Sequence, residues 1–363
     1  MEAVVLSHRG GLLSELHDRR VLLTGHSGFK GAWLATLLAE VGSQVQGFAQ
    51  APGEPSLHRL LGRGAPPWGY GDVRDRAAVE RAFAEGQPEV VLHLAAQPLV
   101  RRSYADPVGT FSANVQGTVH VLEAARACPS VRAVVVVTSD KCYRNDGGGR
   151  RFREDDPLGG DDPYSASKAA AEVVTAAYRR SYCARADPPK GVATARAGNV
   201  LGGGDWSEDR LLPDVVRAIA AGQPLVLRYP EAVRPWQHVL DVCYGYALLA
   251  AALLRDPTHH ARAWNFAPAE DGLPVREVVE LALARFGSSL GWRRASEAQP
   301  PEAQALRLDA TQARTELSWR SQLSVEEAVS WTVDWHRALD GGRPALDLCR
   351  EQWAAYSRRL GRA

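Results

Sequence analysis

Residues 20–34, RVLLTGHSGFKGAWL, join a short apolar run to a glycine-rich turn and then to a helical pattern. Gly25 suits a tight turn with positive φ, Gly28 lets the backbone approach a pyrophosphate, and Gly31 lets the helix lie close to the strand. The helix N-terminus offers free N–H groups and a positive dipole end to phosphates. The stretch predicts a dinucleotide-binding strand–turn–helix unit; the alternative is a glycine-rich turn without a ligand.

Further apolar runs outward from this unit predict an α/β fold. Strand-like runs lie at 44–49, 90–95, 133–139 and 191–197, and long amphipathic segments at 106–127 and 163–183 separate the last three. Continuous apolar strands that alternate with helices are typical of a parallel sheet covered on both faces. Right-handed crossovers then make it a doubly wound, Rossmann-type sheet.

The pattern loosens after about Asn199, where glycine and proline interrupt it. We therefore predict a dinucleotide-binding Rossmann domain over 18–198, to which a segment at about 235–262 returns. Residues 199–234 and 263–340 are predicted to form a smaller, C-terminal substrate-binding lobe. The sequence leaves open whether the tail, 341–363, packs on the body or is loose.

The composition excludes several classes of protein. The chain has 363 residues, 45% of them hydrophobic, and its 43 Lys and Arg nearly balance its 42 Asp and Glu. This balance argues against a nucleic-acid or membrane-surface partner, and no apolar run is long enough to cross a bilayer. The N-terminal residues lack the apolar core of a secretory signal. Five scattered cysteines without a CxxC pattern argue against a disulfide framework or a metal site and favour the cytoplasm.

The end of the second strand leaves the type of dinucleotide open. An acidic residue usually follows this strand and contacts the adenosine ribose, but the chain reads Ala49-Gln50, with neither an acid nor an arginine. Asp72 is the next candidate, as a contact to the adenine. The alternative for Asp72 is the N-cap of the helix that follows.

Three segments are expected beyond the carboxyl ends of strands, where this fold binds its ligands: 94–97, 138–143 and 164–168. Tyr164 and Lys168 are four residues apart and share one helix face. An ammonium group and a positive nicotinamide ring would lower the tyrosine pKa from about 10, so that its phenolate accepts a proton from a sugar hydroxyl. The alternative is a surface tyrosine beside a solvated lysine.

Seven motifs together resemble the extended short-chain dehydrogenase/reductase family, which acts on nucleotide sugars. They are TGHSGFKGAWL, HLAAQPLVRRSY, NVQGT, TSDKCY, DPYSASK, RAGNVLGGGDW and RPWQHV. The resemblance as a whole covers about 20–336. The pair Asp140-Lys141 together with RAGNVLGGGDW is narrower and resembles the CDP-glucose 4,6-dehydratase group of this family. The resemblance implies bound NAD, a nucleotide-diphosphate sugar substrate with CDP-glucose favoured, and a homodimer or higher homo-oligomer.

The resemblance also implies catalytic roles. Tyr164 would be the base at the sugar C4, and Lys168 would hold the cofactor ribose. Ser139 or Thr138 would hydrogen-bond the C4 oxygen, with Ser139 favoured, and Asp140 would be the acid at the departing C6 hydroxyl.

Lys141 stands where most 4,6-dehydratases have the glutamate that removes the C5 proton. A lysine amine can be that base only if neighbouring positive charge favours its neutral form. The alternative is an ion-pair partner that keeps Asp140 in place.

The remaining candidates are contacts to the cofactor and the substrate. The expected cofactor contacts are Gly25, Ser27, Gly28, Phe29, Lys30, Gly31, Asp72, Val73, Leu94, Ala95, Ala96, Gln97, Thr138, Tyr164 and Lys168. The expected substrate contacts are Gln97, Asn199, Arg210 and Arg234, of which an arginine suits a diphosphate. Asn114 is expected to tie two strands together near the site, and His238 to be structural.

Two other functions fit parts of this pattern. A nucleotide-sugar epimerase or 4-ketoreductase also needs the glycines, Tyr164 and Lys168, but it needs no acid and base for elimination. A non-catalytic protein that senses a dinucleotide would not need the Tyr164/Lys168 pair. The pair Asp140-Lys141 therefore favours the dehydratase.

Overall fold

A seven-stranded sheet forms the centre of the computed structural model, which describes residues 11–62, 68–145, 147–296 and 306–361. All its neighbouring strands are parallel, in the order β7-β6-β5-β4-β1-β2-β3. The strands are β1 Arg20–Thr24, β2 Gln44–Ala49, β3 Trp68–Tyr70, β4 Val90–His93, β5 Ala133–Val137, β6 Gly191–Arg196 and β7 Ala263–Asn265.

The central strands are buried on both faces, which explains their continuous apolar sequences. Every residue of β4, β5 and β6 is buried. A strand with one solvent-exposed face would place polar residues on that face. Here β5 is apolar throughout, and the polar residues of β4 and β6, which are His93, Thr194 and Arg196, are buried as well. The prediction of a doubly wound parallel sheet is confirmed.

Helices cover both faces of the sheet. Those of the described residues are Phe29–Glu40, Leu57–Leu60, Arg76–Gly86, Val100–Ala105, Pro107–Phe111, Gly117–Ala127, Pro163–Ser181, Leu211–Ala221, Val239–Arg255, Val275–Phe286, Thr311–Glu316, Val325–Asp340 and Ala345–Leu360. Shorter turns of 3₁₀ helix span Leu12–Leu16, Asp140–Cys142 and Cys183–Arg185, and a π-helical turn spans Ser112–Gln116. One apolar cluster packs Trp33 and Leu249 against one face, and a second packs Phe83 and Val121 against the other.

The lobe has its own apolar cluster, which includes Leu212, Val278 and Val329. Short pairs of strands surround it: Val200–Leu201 with Gln237–His238, Leu225–Leu227 with Trp292–Arg294, and Val233–Arg234 with Leu273–Pro274. A further pair joins Arg151–Phe152 to Arg307–Leu308. The lobe therefore lies beyond the sheet and covers the carboxyl ends of the sheet strands, where the site lies.

The segment that returns to the sheet is longer than the sequence indicates. The helix Val239–Arg255 packs on the sheet, and 14 of its 17 residues are buried. The strand β7 then pairs with β6, with Trp264 opposite Ala195. Residues 263–265, assigned to the lobe from sequence, thus belong to the sheet, because three residues are too few to show a periodicity.

The C-terminal residues form a helix, Ala345–Leu360, that packs on the body of the protein. Trp353 and Tyr356 are buried, and the Tyr356 hydroxyl donates a 2.8 Å hydrogen bond to Asp241 near the start of the helix Val239–Arg255. Burial raises the pKa of Asp241 to about 6, although the bonds from Gln322, Tyr356 and Ser321 oppose that shift. Within the described residues, no helix combines the length and the apolar character that a membrane crossing requires.

Candidate active site

A cavity of about 640 Å³ lies at the carboxyl ends of the sheet strands, between the sheet and the lobe. The glycine turn and the ends of β2, β4 and β5 form one wall, and residues of the lobe form the other. All the residues that the sequence predicts as catalytic, cofactor-binding or substrate-binding line this cavity. The fold thus brings together side chains that lie more than 200 residues apart in the chain.

The glycine turn has the geometry that close backbone approach requires. Gly25 has a φ of 77°, and a Cβ there would lie 2.7 Å from the Ala95 nitrogen. A Cβ on Gly31 would lie 2.1 Å from the Gly25 carbonyl oxygen. Gly28 is the N-cap of the helix Phe29–Glu40, and no side chain caps that helix. Its first N–H groups therefore face the cavity and can bind the pyrophosphate of a dinucleotide such as NAD.

Asp72 lines the cavity just beyond the end of β3 and is held by two neighbours. Gln50 donates a 2.7 Å hydrogen bond to its carboxylate, and Arg74 donates from both Nε and Nη2. The Arg74 hydrogen bonds lower the pKa of Asp72 to about 2. The helix that follows takes Asp75 as its N-cap, so the alternative role of Asp72 as that cap is wrong.

Tyr164 and Lys168 lie one turn apart at the start of the helix Pro163–Ser181, and both are buried. The Lys168 ammonium donates to the Val137 carbonyl oxygen at 3.2 Å. Burial raises the pKa of Tyr164, while a hydrogen bond with Ser139 and the charge of Arg210 act in the opposite direction. The protein groups alone therefore do not produce the lowered tyrosine pKa that the sequence predicts, and Lys168 is not among the main influences on it.

Thr138 and Ser139, the two candidates for the hydrogen bond to the C4 oxygen, follow β5 and point in different directions. The Thr138 hydroxyl donates to the buried Glu172 carboxylate at 2.5 Å, so it is committed to that partner. The Ser139 hydroxyl instead lies between the Tyr164 phenol and the Asp140 carboxylate, 2.9 Å from Oδ1. Of the two, Ser139 is therefore the one placed beside the reacting tyrosine.

Asp140 is buried and has a fixed position. A Cβ on Gly198 would fall 2.0 Å from its Oδ2, so only glycine fits beside it. Lys141 is partly exposed, lines the same cavity, and donates its backbone N–H to the Ser139 hydroxyl. Both members of the pair thus line the same cavity as Tyr164.

One predicted ligand contact, Gln97, and the predicted structural residue Asn114 have other roles in the protein than the sequence suggests. The Gln97 amide donates to Leu99 and Thr110 and accepts from the Leu99 N–H, so it is committed to its own loop. Asn114 does not tie two strands together as predicted. It joins that loop, through Gln97, to Ser167 of the helix Pro163–Ser181.

The lobe side of the cavity carries several arginines. Arg234 is buried and donates to the Val233 carbonyl oxygen, and Arg210 donates to the Pro98 carbonyl oxygen. Two arginines that the sequence analysis missed pair with Asp209: Arg228 of the lobe, at 3.7 Å, and Arg101 of the Rossmann-domain helix Val100–Ala105, at 3.1 Å. His238 is the N-cap of the helix Val239–Arg255, in keeping with the structural role expected for it.

Replacing Lys168 with methionine is expected to stabilise the cofactor-free protein at neutral pH. Burial, with repulsion from Lys30, lowers the pKa of Lys168 from 10.5 to about 7. Between these values the unfolded chain binds more protons than the folded one, so stability rises with pH across that window. The variant should therefore melt several degrees above the parent at pH 7, and the difference should shrink toward pH 10.

Lys190→Met is the comparison variant: burial lowers the pKa of Lys190 as well, but its ammonium donates to three backbone carbonyls, of Ala125, Arg126 and Cys128, which stabilise it in the fold. Its removal should lower the melting temperature. A lower melting temperature for Lys168→Met at pH 7 would show that the Lys168 ammonium is well compensated in the fold.

Comparisons with known proteins agree with this geometry. Residues 22–332 match the family described as GDP-mannose 4,6 dehydratase. The CDP-glucose 4,6-dehydratase of Salmonella typhimurium is 41% identical over 344 residues, which cover 93% of this chain and 96% of that protein.

Two solved structures have the same fold. One is DesIV, a dTDP-glucose 4,6-dehydratase from Streptomyces venezuelae with NAD bound. It superposes with a TM-score of 0.75 at 27% identity, over 90% of this chain and 99% of that one. The UDP-glucose 4-epimerase of Thermus thermophilus, in complex with NAD, has a TM-score of 0.72 at 27% identity, over 88% and 99%.

Proposed function

The chain belongs to the GDP-mannose 4,6-dehydratase family, within the extended short-chain dehydrogenases/reductases, and on that premise we propose that it is an NAD-dependent nucleotide-sugar 4,6-dehydratase that acts on CDP-glucose. One observation carries the proposal: the buried Asp140 lies against Ser139, which is hydrogen-bonded to Tyr164. An epimerase or ketoreductase needs the tyrosine but not the acid. The preference for CDP-glucose rests on the relative from Salmonella typhimurium.

The chemistry explains why both groups are needed. The C5 proton of a hexose is too weakly acidic to be removed directly, but a ketone at C4 makes it an α-proton whose loss gives an enolate. Bound NAD would supply the redox chemistry. The sugar is oxidised at C4 and later reduced at C6, so the two redox changes cancel within one turnover. Tyr164 would accept the proton of the C4 hydroxyl as its phenolate, which the positive charge of a bound nicotinamide ring would favour over the phenol, and Ser139 would hydrogen-bond the C4 oxygen.

The elimination then needs a base at C5 and an acid at C6. In the proposal Lys141 is the candidate base, and Asp140 gives a proton to the departing C6 hydroxyl, which leaves as water. Lys168 holds the cofactor ribose. Asn199, Arg210 and Arg234 contact the nucleotide diphosphate; Gln97 is dropped from this set because its polar atoms are engaged in its own loop.

Asp72 supports NAD rather than NADP as the cofactor. Its carboxylate is ionised at working pH and lines the cavity just beyond the end of β3, where the proposal puts the adenosine and where a 2′-phosphate would be repelled. Arg74, the nearby positive charge, is already paired with it. We also retain the cytoplasm as the proposed compartment, on the cysteine pattern alone.

The test of the proposal is a substrate panel. Purified protein with NAD+ is incubated with CDP-, dTDP-, GDP- and UDP-glucose, and the products are weighed by mass spectrometry. We expect loss of one water, fastest from CDP-glucose. Conversion of a sugar at C4 without loss of water would support the epimerase instead, and fastest dehydration of another nucleotide sugar would overturn the preference for CDP-glucose.

A homodimer is proposed on two exposed apolar positions. Val108 is 79% exposed and Val173 is 60% exposed, and they lie on the neighbouring helices Pro107–Phe111 and Pro163–Ser181. Val173→Asp should convert the dimer to a monomer in light scattering, because it would bury a charge. Leu60→Asp, at an apolar position of 44% exposure on another helix, should leave the dimer intact. A parent protein that is monomeric would contradict the proposal.

A further inference from the structure

The buried carboxylate of Glu172 lies at the centre of a hydrogen-bond network beneath the active site. It accepts from Thr138 at 2.5 Å and from Thr194 at 2.7 Å, and Arg196 binds both of its oxygens, at 2.9 and 2.8 Å. Both side chains of the ion pair are 3% exposed. Burial alone would raise the pKa of Glu172, but these bonds outweigh it and lower that pKa. The pair is therefore charged and fully hydrogen-bonded, which is the condition for a buried ion pair to be stable.

The same pair is bonded at both ends of the segment that carries the acid and the candidate base. Thr138, which precedes Ser139, donates to Glu172. Tyr143, which follows Cys142, accepts from Arg196 at 2.7 Å and donates to Asn265 of β7 at 2.7 Å. The segment 138–143, which contains the 3₁₀ turn Asp140–Cys142, thus begins and ends at residues bonded to one ion pair.

Glu172 also connects this segment to the helix of the catalytic tyrosine. It lies one turn beyond Lys168 and two turns beyond Tyr164, so the three share one face of the helix. Among the described residues that line the cavity, however, neither Glu172 nor Arg196 nor Tyr143 is found. The network can therefore act only by positioning other groups.

We propose that the Glu172–Arg196 pair is a positioning element for the elimination step, which holds Asp140 and Lys141 over the sugar relative to Tyr164. This inference rests on the proposed dehydratase function. Backbone bonds also hold both ends: the Thr138 N–H bonds to Ala195 at 2.9 Å, and Tyr143 forms a β-bridge with Leu158. The Tyr143 hydroxyl is the side-chain link between Arg196 and the end of the segment that lies next to Asp140 and Lys141. Loosening the Tyr143 end should disturb Asp140 and Lys141 more than Ser139 and Tyr164. Elimination should then slow while oxidation at C4 continues.

The test compares Tyr143→Phe with Thr194→Val. Each removes one buried hydroxyl that is bonded to the pair, but Thr194 lies in β6 and does not adjoin the segment. Single-turnover reactions with CDP-glucose follow three signals: the absorbance of the reduced nicotinamide, the exchange of the C5 proton in deuterated water, and the dehydrated product. Thermal unfolding of both variants measures the loss of stability.

Tyr143→Phe is expected to slow loss of water about tenfold relative to oxidation, or about 1.4 kcal/mol. Reduced nicotinamide and a 4-keto sugar that retains its C6 oxygen should accumulate. Thr194→Val should melt lower than the parent but keep the parental ratio of the two rates. Arg196→Lys, which keeps the charge but loses the two-pronged contact, should accumulate the same species as Tyr143→Phe.

The inference would be overturned if the ratio of oxidation to elimination were the same in Tyr143→Phe, Arg196→Lys and Thr194→Val. The network would then have a purely structural role. That result differs from failure of the proposed function. If the parent releases no water from any of the four nucleotide sugars, the dehydratase proposal itself is wrong. If the parent does so and the ratio is unchanged in the variants, only the positioning role is wrong.

Discussion

Tyr164→Phe is expected to stop turnover while the protein still folds and binds its cofactor. The phenyl ring keeps its buried place at the start of the helix Pro163–Ser181, and only the hydroxyl bonded to Ser139 is lost. That hydroxyl is the proposed acceptor of the C4 proton, without which neither oxidation nor elimination begins. Loss of a well-placed acid or base typically costs about 10²–10⁴-fold in rate.

The measurements are product formation, thermal unfolding and titration with NAD+. Tyr178→Phe is the matched control, because it removes a phenol from the same helix, in a residue that does not line the cavity. It should retain parental activity. Activity of Tyr164→Phe within about tenfold of the parent, or about 1.4 kcal/mol in the barrier, would contradict the catalytic role of Tyr164.

Asp140→Asn is expected to oxidise the sugar and then stall. Asparagine keeps the size of the side chain in the space beside Gly198 but cannot deliver a proton as the carboxyl group does. Loss of water should slow by about 10²–10⁴-fold. Reduced nicotinamide and a 4-keto-hexose that retains its C6 oxygen should accumulate, both measurable in a single turnover.

Lys141→Met should block the reaction one step earlier than Asp140→Asn. If Lys141 removes the C5 proton, exchange of that proton with deuterated water should disappear in Lys141→Met and persist in Asp140→Asn. Equal exchange in both variants would make Lys141 a structural partner of Asp140. Loss of water at the parental rate in either variant would contradict the role assigned to that residue in the elimination.

The parts of the fold that sequence predicts are those set by local physics. The glycine turn needs a positive φ at Gly25 and close backbone contact at Gly31, and both requirements show as residue types. Strands such as Ala133–Val137 lie between two layers of helices and are therefore apolar at every position. The sequence also indicates the site candidates, because parallel strands end at one edge of the sheet.

The features that the sequence analysis missed depend on contacts between residues whose pairing the sequence does not show. Nothing in the sequence marks Arg74, because its role depends on the ion pair that its guanidinium group forms with Asp72 in the folded protein. The Glu172–Arg196 pair joins a helix to a strand 24 residues away, and no periodicity marks it. Thr138 and Ser139 are chemically alike, and only the direction of each side chain after β5 assigns one to Glu172 and the other to Tyr164.

The returning segment sets a limit on how this protein can be synthesised and re-engineered. Until the ribosome has released residues 239–265, one face of the sheet lacks one of its covering helices and β6 lacks its outer neighbour, β7. The Rossmann half therefore cannot complete its fold during translation before the first part of the lobe has emerged. For the same reason, a chimera that exchanges substrate lobes between relatives cannot be made with a single junction near residue 198: the helix Val239–Arg255 and β7 must stay with the sheet, so the lobe has to be transplanted as two separate pieces.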